Sequence, residues 1–198
     1  TRMPLVRKAI TRLFGRFPNS SVHPDHAVAL GAAIQGGLIA RELAGADAKA
    51  VTVHYNTSAT KAAADETVAA IKAAGAEAFA LQADLTTAGA NEKLFTEAKS
   101  AMGGIDIAIN TVGKVLKKPI VDISEAEYDE MTAVNSKSAF FFIKEAGKHL
   151  NDNGKICSVV TSLLGAFTPF YAAYAGTKAP VEHFTRAASK EFGERGIS

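Results

Sequence analysis

A tyrosine and a lysine four residues apart, Tyr174 and Lys178, are the residues of this chain best suited to acid–base chemistry. A phenol is a poor proton donor near neutral pH, because its unperturbed pKa is about 10. On a helix, a lysine at position i+4 lies on the same face, and its ammonium stabilises the phenolate. The spacing therefore predicts that Tyr174 can exchange a proton with a substrate oxygen, as the interconversion of an alcohol and a carbonyl requires.

A serine, Ser162, precedes Tyr174 by twelve residues and follows an apolar run that begins at Ile156. This run predicts a buried strand, so the serine hydroxyl is expected at the carboxyl edge of that strand. There it could hold the oxygen that Tyr174 protonates. An ordinary helix with a chance Tyr/Lys pair is the alternative interpretation, and the serine spacing and the motifs elsewhere in the chain argue against it.

Three short motifs follow predicted strands or lie within a predicted helix. They are Asp84-Leu85, Asn110-Thr-Val-Gly113 and Ala133-Val-Asn135-Ser-Lys137. With the serine, tyrosine and lysine, these motifs make residues 38–198 resemble the short-chain dehydrogenase/reductase family. The second motif is similar to that family's Asn-Asn-Ala-Gly segment, with Thr111 in place of the second asparagine.

The resemblance implies the transfer of a hydride between a nicotinamide and the carbonyl or alcohol carbon of a small molecule. The catalytic residues that it implies are Ser162, Tyr174, Lys178 and Asn135, of which the asparagine completes a proton relay. The expected cofactor contacts are Asn56, Ser58, Asp84, Leu85, Asn110, Gly113, Tyr174 and Lys178.

The residues after the strand predicted at 50–55 bear on the choice of cofactor. An NAD enzyme usually ends this strand with Asp or Glu, which binds the ribose 2′-hydroxyl. This chain has Asn56, Thr57 and Ser58 there, with Lys61 close behind, and the missing acid favours NADP. A turn followed by a helix cap is the alternative interpretation of the same residues.

The first 37 residues resemble a different family. The segments Leu13-Phe-Gly and 24–37 are similar to a stretch near the end of the nucleotide-binding domain of DnaK-type heat-shock chaperones. The chain is therefore expected to be a chimera of residues 1–37 and 38–198. ATP binding is not expected, because only a small fraction of the chaperone domain is present. A basic, acid-poor start is also typical of an organelle transit peptide, but the chaperone resemblance explains these residues more economically.

The predicted boundary falls where a dinucleotide-binding domain needs a glycine-rich turn, so that backbone can approach the pyrophosphate. Residues 29–37 do not supply the glycine spacing and are predicted to lie within a long helix instead. Three functions therefore remain open. They are an NADP-dependent reductase weakened by loss of this loop, a cofactor-independent hydrolase using Ser162, Tyr174 and Lys178, and a non-catalytic chimeric remnant.

Helical and strand patterns alternate along the chain, which predicts an α/β fold: a doubly wound, Rossmann-like parallel sheet. The sheet is expected to be truncated, without the family's first and C-terminal strands, and to carry a helical N-terminal extension. The predicted helices are Arg2–Phe14, Pro24–Ala44, Ser58–Ala74, Ala90–Met102, a helix capped by Ser124 that reaches Leu150, and Tyr171–Glu194. The predicted strands are Ala50–Tyr55, Ala76–Gln82, Asp106–Asn110 and Lys155–Val160.

Composition narrows the class of protein. The chain has 198 residues, 47% of them hydrophobic, and a net charge of +2, which gives no electrostatic footprint for nucleic acid. No apolar stretch is long enough to span a membrane, and no histidine has metal-ligand spacing. The single Cys157 suits a reducing cytoplasm. Because the family pairs its long helices across a two-fold axis, and these helices are rich in phenylalanine, a homodimer or homotetramer is expected.

Overall fold

The computed structural model describes residues 48–198 together with Ala40, Leu43 and Gly45. The chaperone-like segment 1–37 and the glycine-containing segment 29–37 lie outside the described residues. Of the helix predicted at 24–44, the described Ala40 and Leu43 are helical. The chain divides into two compact units, one ending at Asp84 and also containing residues 97–103, the other containing residues 85–96 and 104–198.

The first unit contains a parallel pair of strands, β1 (Ala50–Tyr55) and β2 (Glu77–Gln82), connected by helix α1 (Lys61–Ala73). Parallel neighbours need such a crossover, because a tight turn can only join antiparallel strands. A short 3₁₀ helix, Ser58–Thr60, leads into α1. The unit buries a small apolar core of Ala40, Ile71, Ala76 and Ala78, and the partly buried Val51, Val53 and Val68 pack against it.

The second unit contains another parallel pair, β3 (Ile107–Asn110) and β4 (Lys155–Ser158). Its helices are α3 (Glu125–Thr132), α4 (Ser138–His149) and α5 (Ala172–Glu191), and α2 (Ala90–Met102) begins in it. Short 3₁₀ helices occur at Ile120–Asp122, Ser162–Leu164 and Gly193–Arg195. Aromatic packing stabilises the unit: the rings of Phe95 and Phe142 meet edge to face with centroids 5.1 Å apart.

Helix α3 begins as the sequence predicts. The Ser124 hydroxyl accepts from the Glu127 N–H at 3.2 Å, and the Glu127 carboxylate accepts from the Ser124 N–H at 2.8 Å. This reciprocal capping satisfies two amides that the first turn would otherwise leave unpaired. The predicted cap at Ser124 is therefore confirmed, and Glu127 completes a capping box.

The single helix predicted from Ser124 to Leu150 is not continuous. A π-helical turn, Ala133–Lys137, separates α3 from α4. The N–H of Ser138 donates to the carbonyl of Ala133, five residues back. The carbonyl of Val134 accepts from the Ser138 hydroxyl at 2.5 Å. An apolar periodicity cannot reveal such an inserted turn, because residues on both sides keep their helical pattern.

Strand and helix bounds otherwise follow the sequence closely. Strand β1 and helix α2 have the predicted bounds, whereas β4 ends at Ser158 rather than at Val160. Within the described part of the chain, no helix is both long enough and apolar enough to cross a bilayer. The alternation of parallel strands and helices is the α/β arrangement that the sequence predicts.

Candidate active site

Lys178 lies on α5, one turn after Tyr174, with only 4% of its surface exposed. Its ammonium donates to the carbonyl of Val112 at 2.8 Å and to that of Val159 at 3.3 Å. These carbonyls belong to the segments that follow β3 and β4. Burial lowers the pKa of Lys178 to about 8, so the side chain is still mostly charged at neutral pH. The lysine thus anchors α5 to the carboxyl ends of both strands.

The segment after β3 is shaped by Asn110 and Gly113. The buried side-chain oxygen of Asn110 accepts from the N–H of Val112 at 2.9 Å, and its backbone carbonyl accepts from the N–H of Val159 at 2.9 Å. A Cβ placed on Gly113 would lie 2.8 Å from the Lys178 Nζ and 3.4 Å from the Asn135 Oδ1. Only glycine therefore fits where this segment passes the lysine without displacing it.

Asn135 is fully buried in the π-helical turn. Its Oδ1 accepts from the N–H of Lys114 at 2.8 Å, and its Nδ2 donates to the carbonyl of Lys114 at 2.9 Å. The same Nδ2 donates to the Thr177 hydroxyl at 3.1 Å. Both side-chain protons are thus donated within the protein, and the amide holds the segment after β3 and helix α5 together.

Tyr174 is half-buried, and its ring meets that of Tyr171 edge to face with centroids 6.4 Å apart. The ammonium of Lys117 lies 6.0 Å from the centroid of the Tyr171 ring. Ser162 is exposed and begins a 3₁₀ helix four residues after the end of β4. Contacts thus bring Asn110, Gly113, Asn135 and Lys178 together, and helix α5 places Tyr174 beside Lys178.

The predicted cofactor residues of the first unit lie on its surface. Asn56 and Ser58 are exposed after β1, and the carbonyl of Asn56 accepts from the Gln82 side chain at 3.4 Å. Ser58 opens a 3₁₀ helix, so these residues do form the turn and cap that the sequence left as an alternative. Lys61, which follows this turn, forms an ion pair with Asp65 at 2.5 Å.

The remaining predicted cofactor residues, Asp84 and Leu85, are neighbours in the chain. Asp84 is exposed and ends the first unit, whereas Leu85 is buried and begins the second. The carbonyl of Leu85 accepts from the Asn91 side chain at 3.4 Å. Among the described residues, no three His, Cys, Asp or Glu side chains are grouped so as to hold a metal ion.

Sequence reasoning missed two residues that lie around Asn135. They are Ser138 and Thr177. Both are almost completely buried, and both hydroxyls hydrogen bond within or beside the π-helical turn. Thr177 stands immediately before Lys178 in the chain, which is a signal of proximity to the site. Nothing in that spacing indicates that its hydroxyl faces Asn135, 42 residues earlier.

A family model described as Enoyl-(Acyl carrier protein) reductase matches residues 31–198, most of the chain. The chain belongs to the short-chain dehydrogenase/reductase family. Among its relatives, Elsinochrome reductase 1 of Elsinoe fawcettii is 37% identical over 169 residues, covering 82% of this chain and 60% of that protein. Hydroxynaphthalene reductase-like protein Arp2 of Metarhizium brunneum is 37% identical, covering 81% and 59%.

Solved structures of short-chain dehydrogenases confirm the predicted Rossmann-like fold. A putative dehydrogenase from Burkholderia cenocepacia with bound NADP is 75% identical and superposes with a TM-score of 0.81, covering 82% of this chain and 62% of that one. A dehydrogenase/reductase from Sinorhizobium meliloti is 33% identical, with a TM-score of 0.76, covering 85% and 64%. The chain thus spans about three fifths of the length of these relatives.

The family match reaches further towards the N-terminus than the sequence predicts. It begins at Gly31, before the boundary expected between Gly37 and Leu38. Residues 31–37 therefore belong to the short-chain dehydrogenase match. The comparisons support the dehydrogenase part of the predicted chimera and not its chaperone-like part.

Proposed function

We propose that this short-chain dehydrogenase is an NADP-dependent oxidoreductase that interconverts the carbonyl and alcohol forms of a small molecule. The observation that carries the proposal is the buried ammonium of Lys178, held by the carbonyls of Val112 and Val159 one helical turn from Tyr174. A buried cation is costly unless it is hydrogen bonded. A buried lysine one helical turn from the tyrosine therefore favours a chemical role for the ammonium.

The proposed proton transfer follows from this arrangement. The Tyr174 hydroxyl donates its proton to the substrate oxygen as the carbonyl becomes an alcohol, and Lys178 stabilises the resulting phenolate. The exposed hydroxyl of Ser162 donates a hydrogen bond to the same oxygen. Asn135 holds the segment after β3 in place beside the lysine. When bound, NADP in its reduced form supplies the hydride to the carbonyl carbon.

The chemistry of the available donors fits a phosphorylated dinucleotide. In the first unit, Asn56 and Ser58 offer an exposed amide and hydroxyl, and Asp84 would contact the adenine, as the family resemblance implies. In the second unit the proposed contacts are Leu85, Asn110, Gly113, Tyr174 and Lys178. The Burkholderia relative binds NADP, and the absence of an acid at the end of β1 favours NADP over NAD.

Binding of the dinucleotide is expected to be weak in this chain. We propose that residues 1–37 are a chaperone-like segment, of which the family match covers the last seven residues. Leu30, Ile34 or Gln35 then stand where glycines would approach the pyrophosphate. Each lost amide contact to a charged oxygen costs about 1.5–3 kcal/mol, so losing several lowers affinity by powers of ten. The proposed affinity for NADP is therefore no better than about millimolar.

Assembly and location are also proposals. The rings of Phe140 and Phe141, 47% and 38% exposed on α4, favour a homodimer or homotetramer. The ring of Phe184 extends this patch, with its centroid 5.2 Å from that of Phe140. The unpaired Cys157 suits the reducing cytoplasm.

One experiment separates the functions that the sequence leaves open. The chain is first titrated with NADPH, and binding is followed by fluorescence. It is then incubated with NADPH and a panel of ketones. The panel includes ketones derived from hydroxynaphthalenes, because one relative is a hydroxynaphthalene reductase-like protein. Products are quantified, and hydrolysis of an activated ester is measured in parallel. Reduction that requires NADPH supports the proposal. Ester hydrolysis alone would support the hydrolase. The absence of both reactions would indicate a non-catalytic remnant.

A further inference from the structure

Thr177 lies between Tyr174 and Lys178 on α5, and its hydroxyl is buried against the π-helical turn. Only 4% of the residue is exposed. Its Oγ1 donates to the carbonyl of Ala173 at 2.7 Å and also lies 3.2 Å from the carbonyl of Tyr174. Because a hydroxyl has a single proton, this donation leaves its lone pairs to accept from Nδ2 of Asn135.

The three hydrogen bonds of the Asn135 amide are not equivalent. Two of them connect the amide to the backbone of Lys114 and therefore to the segment after β3. The third, to Thr177, connects it to the helix that carries Tyr174 and Lys178. Without the Thr177 hydroxyl, one buried Nδ2 proton would lose its acceptor, and the amide would no longer be tied to α5 by this bond.

We propose that Thr177 is a positioning residue, which holds Asn135 and the π-helical turn in place relative to Tyr174 and Lys178. The catalytic consequence rests on the proposed function, whereas the hydrogen bond to Asn135 does not. Misplacement of a catalytic group by about 1 Å can cost about a hundredfold in rate. Loss of this single bond is therefore expected to slow proton transfer without removing any group that contacts the substrate.

Three variants of the full chain isolate the hydroxyl. Thr177→Val keeps the branched shape and removes the hydroxyl, whereas Thr177→Ser keeps the hydroxyl. Thr185→Val is the matched control, because Thr185 lies on the same helix and donates in the same way to the carbonyl four residues back, that of Val181, at 2.8 Å. An effect of losing a helical threonine hydroxyl in general would appear in this control as well.

The direct measurement is hydrogen exchange of the assigned Asn135 side-chain amide by NMR. In Thr177→Val, exchange of the Nδ2 protons is expected to accelerate at least about tenfold, and kcat to fall about tenfold to a hundredfold while KM stays within about twofold. Thr177→Ser and Thr185→Val should retain the exchange rates and kcat of the parent. Unchanged exchange in Thr177→Val, or an equal loss of kcat in Thr185→Val, would overturn the proposal.

The two readouts also distinguish this inference from the proposed function. Faster amide exchange in Thr177→Val, together with a parent that reduces no carbonyl, would support the positioning bond and contradict the proposed function. Should Thr177→Val fail to fold, the parent decides the question. Slow exchange of both Nδ2 protons supports the proposal, and fast exchange of the proton directed at Thr177 overturns it.

Discussion

The ammonium of Lys178 joins three parts of the chain: the helix that carries it and the segments that follow β3 and β4. Its carbonyl partners, on Val112 and Val159, hold the ammonium of a residue that lies one turn after Tyr174 on the helix. Gly113 allows the segment after β3 to pass within contact distance of the lysine. The charge of the lysine and the missing side chain of the glycine can therefore be tested separately.

Burial of Lys178 makes stability depend on pH in a defined direction. Its pKa is lowered from 10.5 to about 8, so between these values the folded state holds fewer protons than the unfolded state. Stability of the parent relative to Lys178→Met should therefore rise from about pH 8 to 10.5, at up to about 1.4 kcal/mol per pH unit. Urea unfolding of both proteins across this range measures the difference. A difference that falls with pH would contradict the buried charge.

Substitution of Gly113 should disturb the lysine directly. In Gly113→Ala, the new methyl would lie 2.8 Å from Nζ and 2.9 Å from Cε of Lys178, so the side chain must leave the Val112 carbonyl. Such overpacking typically costs about 1–3 kcal/mol. The matched control is Gly176→Ala, at an exposed position of α5 where nothing lies within 4 Å of the added carbon. Chemical unfolding should show the first variant destabilised and the control stabilised by about 1 kcal/mol.

At the scale of elements, the site depends on the N-cap of α3 and on the residue at which α3 ends and the π-helical turn begins. The capping box of Ser124 and Glu127 fixes the first turn of α3, and Lys118 donates to both carboxylate oxygens of Glu127 at 2.9 Å. The N–H of Lys118 donates in turn to the carbonyl of Phe170 just before α5. The start of α3 is thus connected to the segment that leads into α5.

Glu127 should make this connection sensitive to acid. The hydrogen bonds from Lys118, and then from Ser124, lower the pKa of Glu127 from 4.5 to about 2. The stability that it contributes is therefore present above about pH 4.5 and is lost as pH falls through about 2. Thermal unfolding should show the advantage of the parent over Glu127→Gln shrinking across this range. Glu125→Gln, which removes a carboxylate from the same exposed first turn, is the matched control.

The bounds of many helices and strands could be predicted from the sequence, because they depend on residues close together in the chain. Helix α2 and strand β1 have the predicted bounds because their periodicity and flanking turns depend on neighbouring residues alone. The π-helical turn could not be predicted, since it accompanies bonds from Asn135 to Lys114, 21 residues away. The partners of Lys178 are equally hidden, because they are backbone carbonyls of valines whose side chains carry no signal. Spacing alone did predict that Tyr174 and Lys178 share a helix.

At the scale of the whole molecule, the sequence assigned the family correctly, whereas the boundary between residues 37 and 38 stays a prediction. The motifs from Asp84 to Lys178 are short and keep their order, whereas residues 31–37 match the family without its expected glycine spacing. The chaperone-like character of residues 1–37 also stays a prediction. So does the weakening of NADP binding, because both concern residues outside the described part of the chain.

The exposed phenylalanines of α4 predict self-association. Phe140 and Phe141 present apolar rings at the surface of the second unit, and burial against a second copy would remove them from water. Multi-angle light scattering should give the mass of a dimer or tetramer, and Phe140→Glu should shift it towards the monomer because burying that charge is costly. Phe167→Glu, at a fully exposed ring outside this pair, serves as the control. A monomeric parent would remove this expectation.

The central claim is that Tyr174 transfers the proton in an NADP-dependent carbonyl reduction. Its most direct test compares product formation by the parent and by Tyr174→Phe at millimolar NADPH, with NADPH titrations of both proteins. Losing the hydroxyl removes the proton donor and keeps the ring, so turnover should fall at least about a hundredfold while NADPH binding is unchanged. Equal turnover by Tyr174→Phe and the parent would contradict the claim.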